Sequence, residues 1–213
     1  MNMRKYLAVI ILFAFTLLLF VLFFSKNAQE HVATDKGPKP DFVKGGFIEK
    51  YIYTPNYDQG RVNEVLGVVL HHTAEPNVEK SLEILTSPEK KVSAHVVIDT
   101  DGTRYILASP EIVTFHAGFS ILNNREGCNY FTIGIEFQGN TLENPLTKKQ
   151  IESGVEYLLP IIMKYDIPIE NIVTHEMVRM AYKQKYPNKK CSGKIDITHE
   201  EYTRFMEVLQ KAL

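Results

Sequence analysis

The sequence predicts an α/β domain, a mixed central β-sheet covered by helices, as a single unit over residues 46–213. Three observations predict it. Short apolar runs rich in β-branched residues (65–73, 132–138 and 172–174) are separated by stretches whose apolar residues recur every three or four positions. Two capping-box signatures, Thr147 to Gln150 and Thr198 to Glu201, stand directly before such stretches. A chain of 213 residues with 45% hydrophobic content carries one core rather than two. Strands interspersed with helices imply a sheet with helical cover.

At the amino terminus, Arg4 and Lys5 precede a charge-free run, residues 6–24, whose only markedly polar side chains are Tyr6 and Thr16. As a helix rising 1.5 Å per residue this run spans roughly 28 Å, against a hydrocarbon thickness of about 30 Å. Residues 1–24 therefore read as a membrane anchor with its basic end in the cytoplasm, and a cleaved signal segment is the alternative. Both place the rest of the chain beyond the membrane, anchored to it through residues 6–24 or secreted. Residues 25–45 are polar, with Gly37-Pro38-Lys39-Pro40, and read as a linker. Two of the 24 basic residues lie before residue 6 and none of the 25 acidic ones precedes Glu30, so the exported part carries about −3. Nothing there resembles a nucleic-acid footprint, and a monomer is expected. Two cysteines, Cys128 and Cys191, make no disulfide framework.

Residues 47–53 alternate as an early strand, and 54–60 are rich in turn formers. After the run 65–73, Val78, Leu82 and Leu85 give a short helix stopped by Ser87-Pro88. Asp101-Gly102 joins two β-like arms, 93–99 and 103–107, as a hairpin. His95, on the first arm, reads as a core or supporting histidine, with substrate contact as the alternative. His116 sits in loop-like sequence and is a candidate for substrate binding or for a structural role. In 132–138, Ile133, Ile135 and Phe137 share one face, while Thr132, Gly134, Glu136 and Gln138 share the other. That polar face, with a glycine at its centre, suits a cleft floor approached by a substrate backbone. Helices follow over 147–165, despite Pro160, and from 198 to the end, with strand 172–174 leading to His175 between them.

The chemistry gathers at the end of run 65–73. His71 and His72 are adjacent on a strand, so they face opposite sides, and one is a ligand while the other packs. A histidine of this pair, His175 and Cys191 supply the three ligands of an open zinc site, the fourth position being left for water. The charged, tyrosine- and proline-bearing loop expected over 177–190 separates the last two, a spacing unlike the tight pairs of structural zinc sites. Glu136 is placed to take a proton from the attacking water. Lys189, two residues before Cys191, can steady the charge that builds on a carbonyl oxygen, or simply be solvated. Cys191 as a nucleophile is the competing use. Metal binding by Cys191 predicts that Cys128 stays free and buried.

His71-His72-Thr73-Ala74, Val92-Ser93-Ala94-His95, Phe115-His116-Ala117-Gly118, the segment from Cys128 to Glu136 ending Ile133-Gly134-Ile135-Glu136, Thr174-His175-Glu176 and Lys189-x-Cys191-Ser192-Gly193 together resemble the zinc-dependent N-acetylmuramoyl-L-alanine amidases. That superfamily also contains the peptidoglycan recognition proteins and the phage lysozyme-type amidases. The resemblance implies Zn2+ on His71, rather than His72, His175 and Cys191, with Glu136 as acid/base and Lys189 as the transition-state lysine. It implies a peptidoglycan or muropeptide substrate, cut between the muramoyl lactyl group and L-alanine. A non-catalytic wall-binding module and a zinc peptidase are the alternatives. Two positions depart from the pattern. Ala94 stands where phage-type members carry a tyrosine, and the family's lysine-x-aspartate-proline-glycine variant is matched to Lys189-Lys190-Cys191-Ser192-Gly193, without its proline.

Overall fold

Strand alternation along two central runs builds the middle of the sheet and divides its two faces. In chain order the strands are β1 (Phe42–Lys44), β2 (Phe47–Tyr51), β3 (Tyr57–Asp58), β4 (Gly67–His72), β5 (Val96–Ile98), β6 (Arg104–Ile106), β7 (Val113–Thr114), β8 (Ile121–Leu122), β9 (Arg125–Glu126), β10 (Thr132–Phe137) and β11 (Ile172–Thr174). The helices are α1 (Val78–Leu85), α2 (Lys148–Tyr165), α3 (His175–Lys185) and α4 (His199–Ala212). The computed structural model describes residues 42–44, 46–58, 64–191, 193 and 196–213. The expected anchor or signal segment, 1–24, lies outside the described residues, as do 25–41 and Gly45 of the expected linker. Among the described residues no helix is long and apolar enough to cross a membrane.

Among the described residues seven strands form the main sheet, in the order β1-β2-β6-β5-β10-β4-β11. It is mixed, as expected: β4 pairs in parallel with β10 and β11, β10 in parallel with β5, and β5 antiparallel with β6 across the Asp101-Gly102 turn. At the other edge the structure corrects the linker boundary. Phe42–Lys44 pairs antiparallel with Phe47–Tyr51, so the end of the expected linker is a strand of the sheet. Gly46 at φ +102° lets the chain reverse there, a conformation open to glycine.

One face of the sheet carries Val68, Leu70, Val96, Ile98, Ile133, Ile135, Phe137 and Ile172, all buried in a core with Leu158 of α2 and Phe205 and Leu209 of α4. Thr147 starts α2 in a full capping box, accepting from the Gln150 amide at 3.0 Å, whereas Thr198 caps α4 by accepting from the Glu201 amide at 3.4 Å without the return bond, because its own amide donates to Thr141 and the Glu201 carboxylate accepts from the Leu146 amide. Pro160 lies on the exposed side of α2, where the hydrogen bond it cannot donate leaves only a surface carbonyl.

On the opposite face, Val69 and Val173 pack with Phe131, Cys128 and Val178 of α3, and Val97 packs with Val78 and Leu85 of α1. Helices thus flank this face and leave its middle open to the cleft. The loop expected over 177–190 is instead α3 as far as Lys185. Thr174 caps it by accepting from the Met177 amide at 3.3 Å, and Val178 and Tyr182, one turn apart, are buried. Glu176 in its first turn and Lys183 and Lys185 in its last complement the helix dipole.

Candidate active site

The in-register parallel pairing of β4 with β10 sets Glu136 beside His71, and Gly134 beside Val69, on the open face. His72 points the other way, into the core. Its Nδ1 accepts from the Thr141 amide at 3.1 Å and lies 2.9 Å from the Thr141 hydroxyl. Alternation has divided the histidine pair into one site residue and one packing residue. His72 still matters to the site. The Thr141 hydroxyl oxygen also accepts from the Thr198 amide at 3.0 Å, and Ile197 is buried in the same core. Together they pin the segment that delivers Asp196, which is completely buried.

Asp196 was missed by the sequence reading, and it takes the place expected for Cys191. The His175 Nδ1 lies 2.6 Å from Asp196 Oδ2, and the His71 Nδ1 lies 3.6 Å from Asp196 Oδ1. The two imidazole rings sit 4.9 Å apart, centroid to centroid. One ligand atom from each of His71, His175 and Asp196 falls within 4.8 Å of the others. Cys191 does not join them: it is half-buried, and its Sγ contacts the Lys189 carbonyl at 3.9 Å. Lys189 is exposed. Sixteen positions separate Cys191 from His175, and α3 with the turn at Tyr186 fills most of them. Cys128 and Cys191 are both free. Cys128 is buried, and burial pushes its thiol up to about 11.

The two candidates for substrate binding have different places. His95 is fully buried. Its Nδ1 accepts from the Gly134 amide at 2.9 Å and from the Thr114 hydroxyl at 3.0 Å, and its Nε2–H donates to the Ile112 carbonyl at 3.0 Å. That ring braces the strand from inside, packs edge-on against His116 at 6.0 Å and is not among the residues that line the cleft. His116 lines the cleft. Its Nδ1 lies 3.1 Å from His71 Nε2 and its Nε2 lies 3.3 Å from the Thr132 hydroxyl, which donates to the Cys128 carbonyl at 2.7 Å. A metal ion taken by Nδ1 of His71 would leave the proton on Nε2, and a single set of donors would then run from His71 through His116 and Thr132 to a carbonyl. Such a partner fixes the tautomer and tilt of a metal-ligating imidazole. The His116 loop is itself held by Asn129 Oδ1, which accepts from the amides of His116 at 3.1 Å and Ala117 at 2.7 Å.

Gly134 is what lets His116 lie there. A Cβ at this position would stand 2.5 Å from His116 Cγ. The cleft above is a cavity of about 390 Å3 with His71, His175 and Glu136 at its floor and Thr73, Glu75, Ser81 and Leu85 among its walls. Glu136 is 8% exposed. A second cavity of about 440 Å3 adjoins it, sharing His116, His175, Phe115 and Val92.

The 1,6-anhydro-N-acetylmuramyl-L-alanine amidase AmpD of Haemophilus influenzae is 40% identical over 78 residues, 36% of this chain and 40% of that protein. That of Enterobacter cloacae is 36% identical over 84 residues, 39% and 44% of the two chains. The matched part thus spans less than half the length of these relatives. A crystal structure of a selenomethionine AmpD derivative shares the fold, with TM-score 0.54 at 22% identity, covering 73% of this chain and 92% of that one. Residues 61–194, which include His71, Glu136 and His175, match the family Amidase_2, N-acetylmuramoyl-L-alanine amidase, and the chain belongs to that family.

Proposed function

We propose that the chain hydrolyses the amide between the lactyl group of N-acetylmuramic acid and the L-alanine of a peptidoglycan stem, using zinc held by His71, His175 and Asp196. The observation that carries this reading is the convergence of two imidazoles and one carboxylate beside Glu136 on the floor of a cleft. Two histidine nitrogens and a carboxylate are a usual set for zinc in hydrolases that keep a position open. The names of the AmpD relatives support a muramoyl-L-alanine substrate.

Zinc bound there would polarise the carbonyl and lower the pKa of water from about 15.7 to about 7. Glu136 takes the proton of the attacking water as oxygen adds to the carbonyl carbon. It then hands that proton to the departing nitrogen, so that the C–N bond breaks to leave a lactyl carboxylate and a free L-alanine amine. His116 holds the His71 ring during these steps. The cation assigned from sequence to Lys189 passes to Lys194. Lys194, which lies outside the described residues, precedes Asp196 by two residues, as Lys189 precedes Cys191. The lysine-x-aspartate of the family pattern is then Lys194-Ile195-Asp196. Residues 1–24 support action beyond the cytoplasmic membrane, which fractionation of cells tests.

The experiment is digestion of purified cell wall by the zinc-loaded protein, with mass analysis of the freed amine. New amino-terminal L-alanine is the expected result. Cuts within the stem would make the chain a peptidase, and binding without release would make it a wall-recognition module. Glu136→Gln keeps zinc and loses about 100- to 10,000-fold in turnover.

A further inference from the structure

The two cavities that meet at the candidate metal centre differ in charge. The first has Glu75 and Glu136 among its lining residues. The second is lined by Lys91, Phe119, Asn129 and Arg179 together with His116 and His175, and among the described residues no acidic side chain lines it. Arg179 is 8% exposed, and its buried Nε has no hydrogen-bond partner among the described residues. Its ion-pair partner among the described residues, the carboxylate of Glu176, lies 3.6 Å from Nη2, beyond good hydrogen-bond length, and is itself 43% exposed. A nearly buried guanidinium that lines a cavity and makes no hydrogen bond among the described residues is suited to an anion that arrives from outside.

Resting on the amidase reading, we infer that this second cavity binds the free α-carboxylate of the second stem residue through Arg179, with Lys91 adding charge at the rim. Stem peptides join that residue through its γ-carboxyl, so when it is D-glutamate the α-carboxylate is the negative charge closest to the scissile amide. The muramoyl side is uncharged there, which assigns the cationic cavity to the leaving peptide and the other to the sugar. Reach agrees: Arg179 lies one turn beyond His175 on α3, a rise of about 6 Å, and the carboxylate lies about 7 Å, two residue lengths, from the scissile nitrogen. The stacking of Phe119 on Tyr182, at 5.2 Å, forms an aromatic wall on the same side.

Two synthetic substrates test this, N-acetylmuramoyl-L-alanyl-γ-D-glutamyl-L-lysine and its D-isoglutamine counterpart, which carries an amide in place of the carboxylate. The zinc-loaded protein is expected to favour the carboxylate by about tenfold or more in kcat/KM, mostly through KM, since one charge-assisted hydrogen bond is at stake. Arg179→Gln should bring that ratio toward one. Lys91→Gln, at an exposed position, should lower it in part. Calorimetry with the two product peptides reads the same preference without turnover. Equal treatment of the two substrates by the unaltered protein, or an Arg179→Gln variant that loses both rates equally and keeps the ratio, overturns the inference. Absence of hydrolysis on both substrates with the binding preference intact would refute the amidase reading and leave the carboxylate site standing.

Discussion

Adding one methyl group at Gly134 tests how the site is held. A Cβ there would lie 2.5, 2.7 and 2.8 Å from Cγ, Nδ1 and Cδ2 of His116, and no real Cβ approaches so closely. Neither partner can retreat freely. Gly134 is fixed by pairing with Val69 and by its amide on His95, and the His116 loop is tied to Asn129. The ring must swing away, breaking the 3.1 Å contact with His71. Overpacking of this kind costs about 1–3 kcal/mol, against about 0.5–1 kcal/mol gained by replacing glycine in a strand, so a net loss of about 1–2 kcal/mol is expected. Loss of the partner that orients a metal-ligating histidine should weaken zinc about 10- to 100-fold. With His116→Ala already in place the clash is gone, and Gly134→Ala should then be neutral or slightly stabilising. Urea unfolding of the four proteins in this cycle, with zinc affinity by chelator competition, gives both readouts. An equal cost for Gly134→Ala with and without the His116 ring would refute the reasoning, as would unchanged zinc affinity.

Three further outcomes are expected. Half-buried Cys191 should react with a thiol reagent at the same rate with and without zinc, whereas Cys128, buried and pushed up to about 11, should react only on unfolding; protection of Cys191 by zinc would restore it as a ligand. Burial raises the Glu111 carboxyl, but hydrogen bonds from Lys164, Ser109 and Tyr165 outweigh it and hold the group at about 2. Its contribution is therefore complete above its ordinary 4.5 and lost as pH falls toward 2, so Glu111→Gln should flatten the unfolding free energy over that window relative to the unaltered protein. Arg104, fully buried, pairs through Nε with Glu49 at 3.1 Å and through Nη2 with Glu156 at 3.0 Å. Arg104→Ala strands the Glu49 charge in the core and should cost about 3–5 kcal/mol by denaturant titration.

Much of this was readable because period-2 patterning leaves little choice. Ile133, Ile135 and Phe137 had to share a face, and so Glu136 had to share the other with Gly134. The same rule separated His71 from His72, and the capping boxes announced α2 and α4. Two features escaped for physical reasons. The segment after Thr174 is dense in charge and tyrosine, which hid the thin apolar stripe of Val178 and Tyr182 that makes α3. Cys191 is the soft ligand nearest to His175 in sequence and follows a lysine by two residues, the same pattern that Asp196 carries. Asp196 sits between two isoleucines ahead of the Thr198 cap, where a carboxylate reads as helix flank. Its signal was available in Lys194-x-Asp196, a second instance of the lysine-to-ligand spacing. The strand Phe42–Lys44 was hidden by the polar linker before it, although Gly45-Gly46 is a hairpin dipeptide.

The identity of the third ligand is measured most directly by titrating zinc into the purified protein, Asp196→Ala and Cys191→Ser in competition with a chelator. If each ligand of a tetrahedral site supplies about a quarter of the roughly 10–16 kcal/mol of zinc binding, removing the carboxylate weakens the site by about 100- to 1,000-fold. The expected result is one zinc per chain, the same affinity in Cys191→Ser, and a loss of that order in Asp196→Ala. Zinc retained by Asp196→Ala and lost by Cys191→Ser would contradict the account.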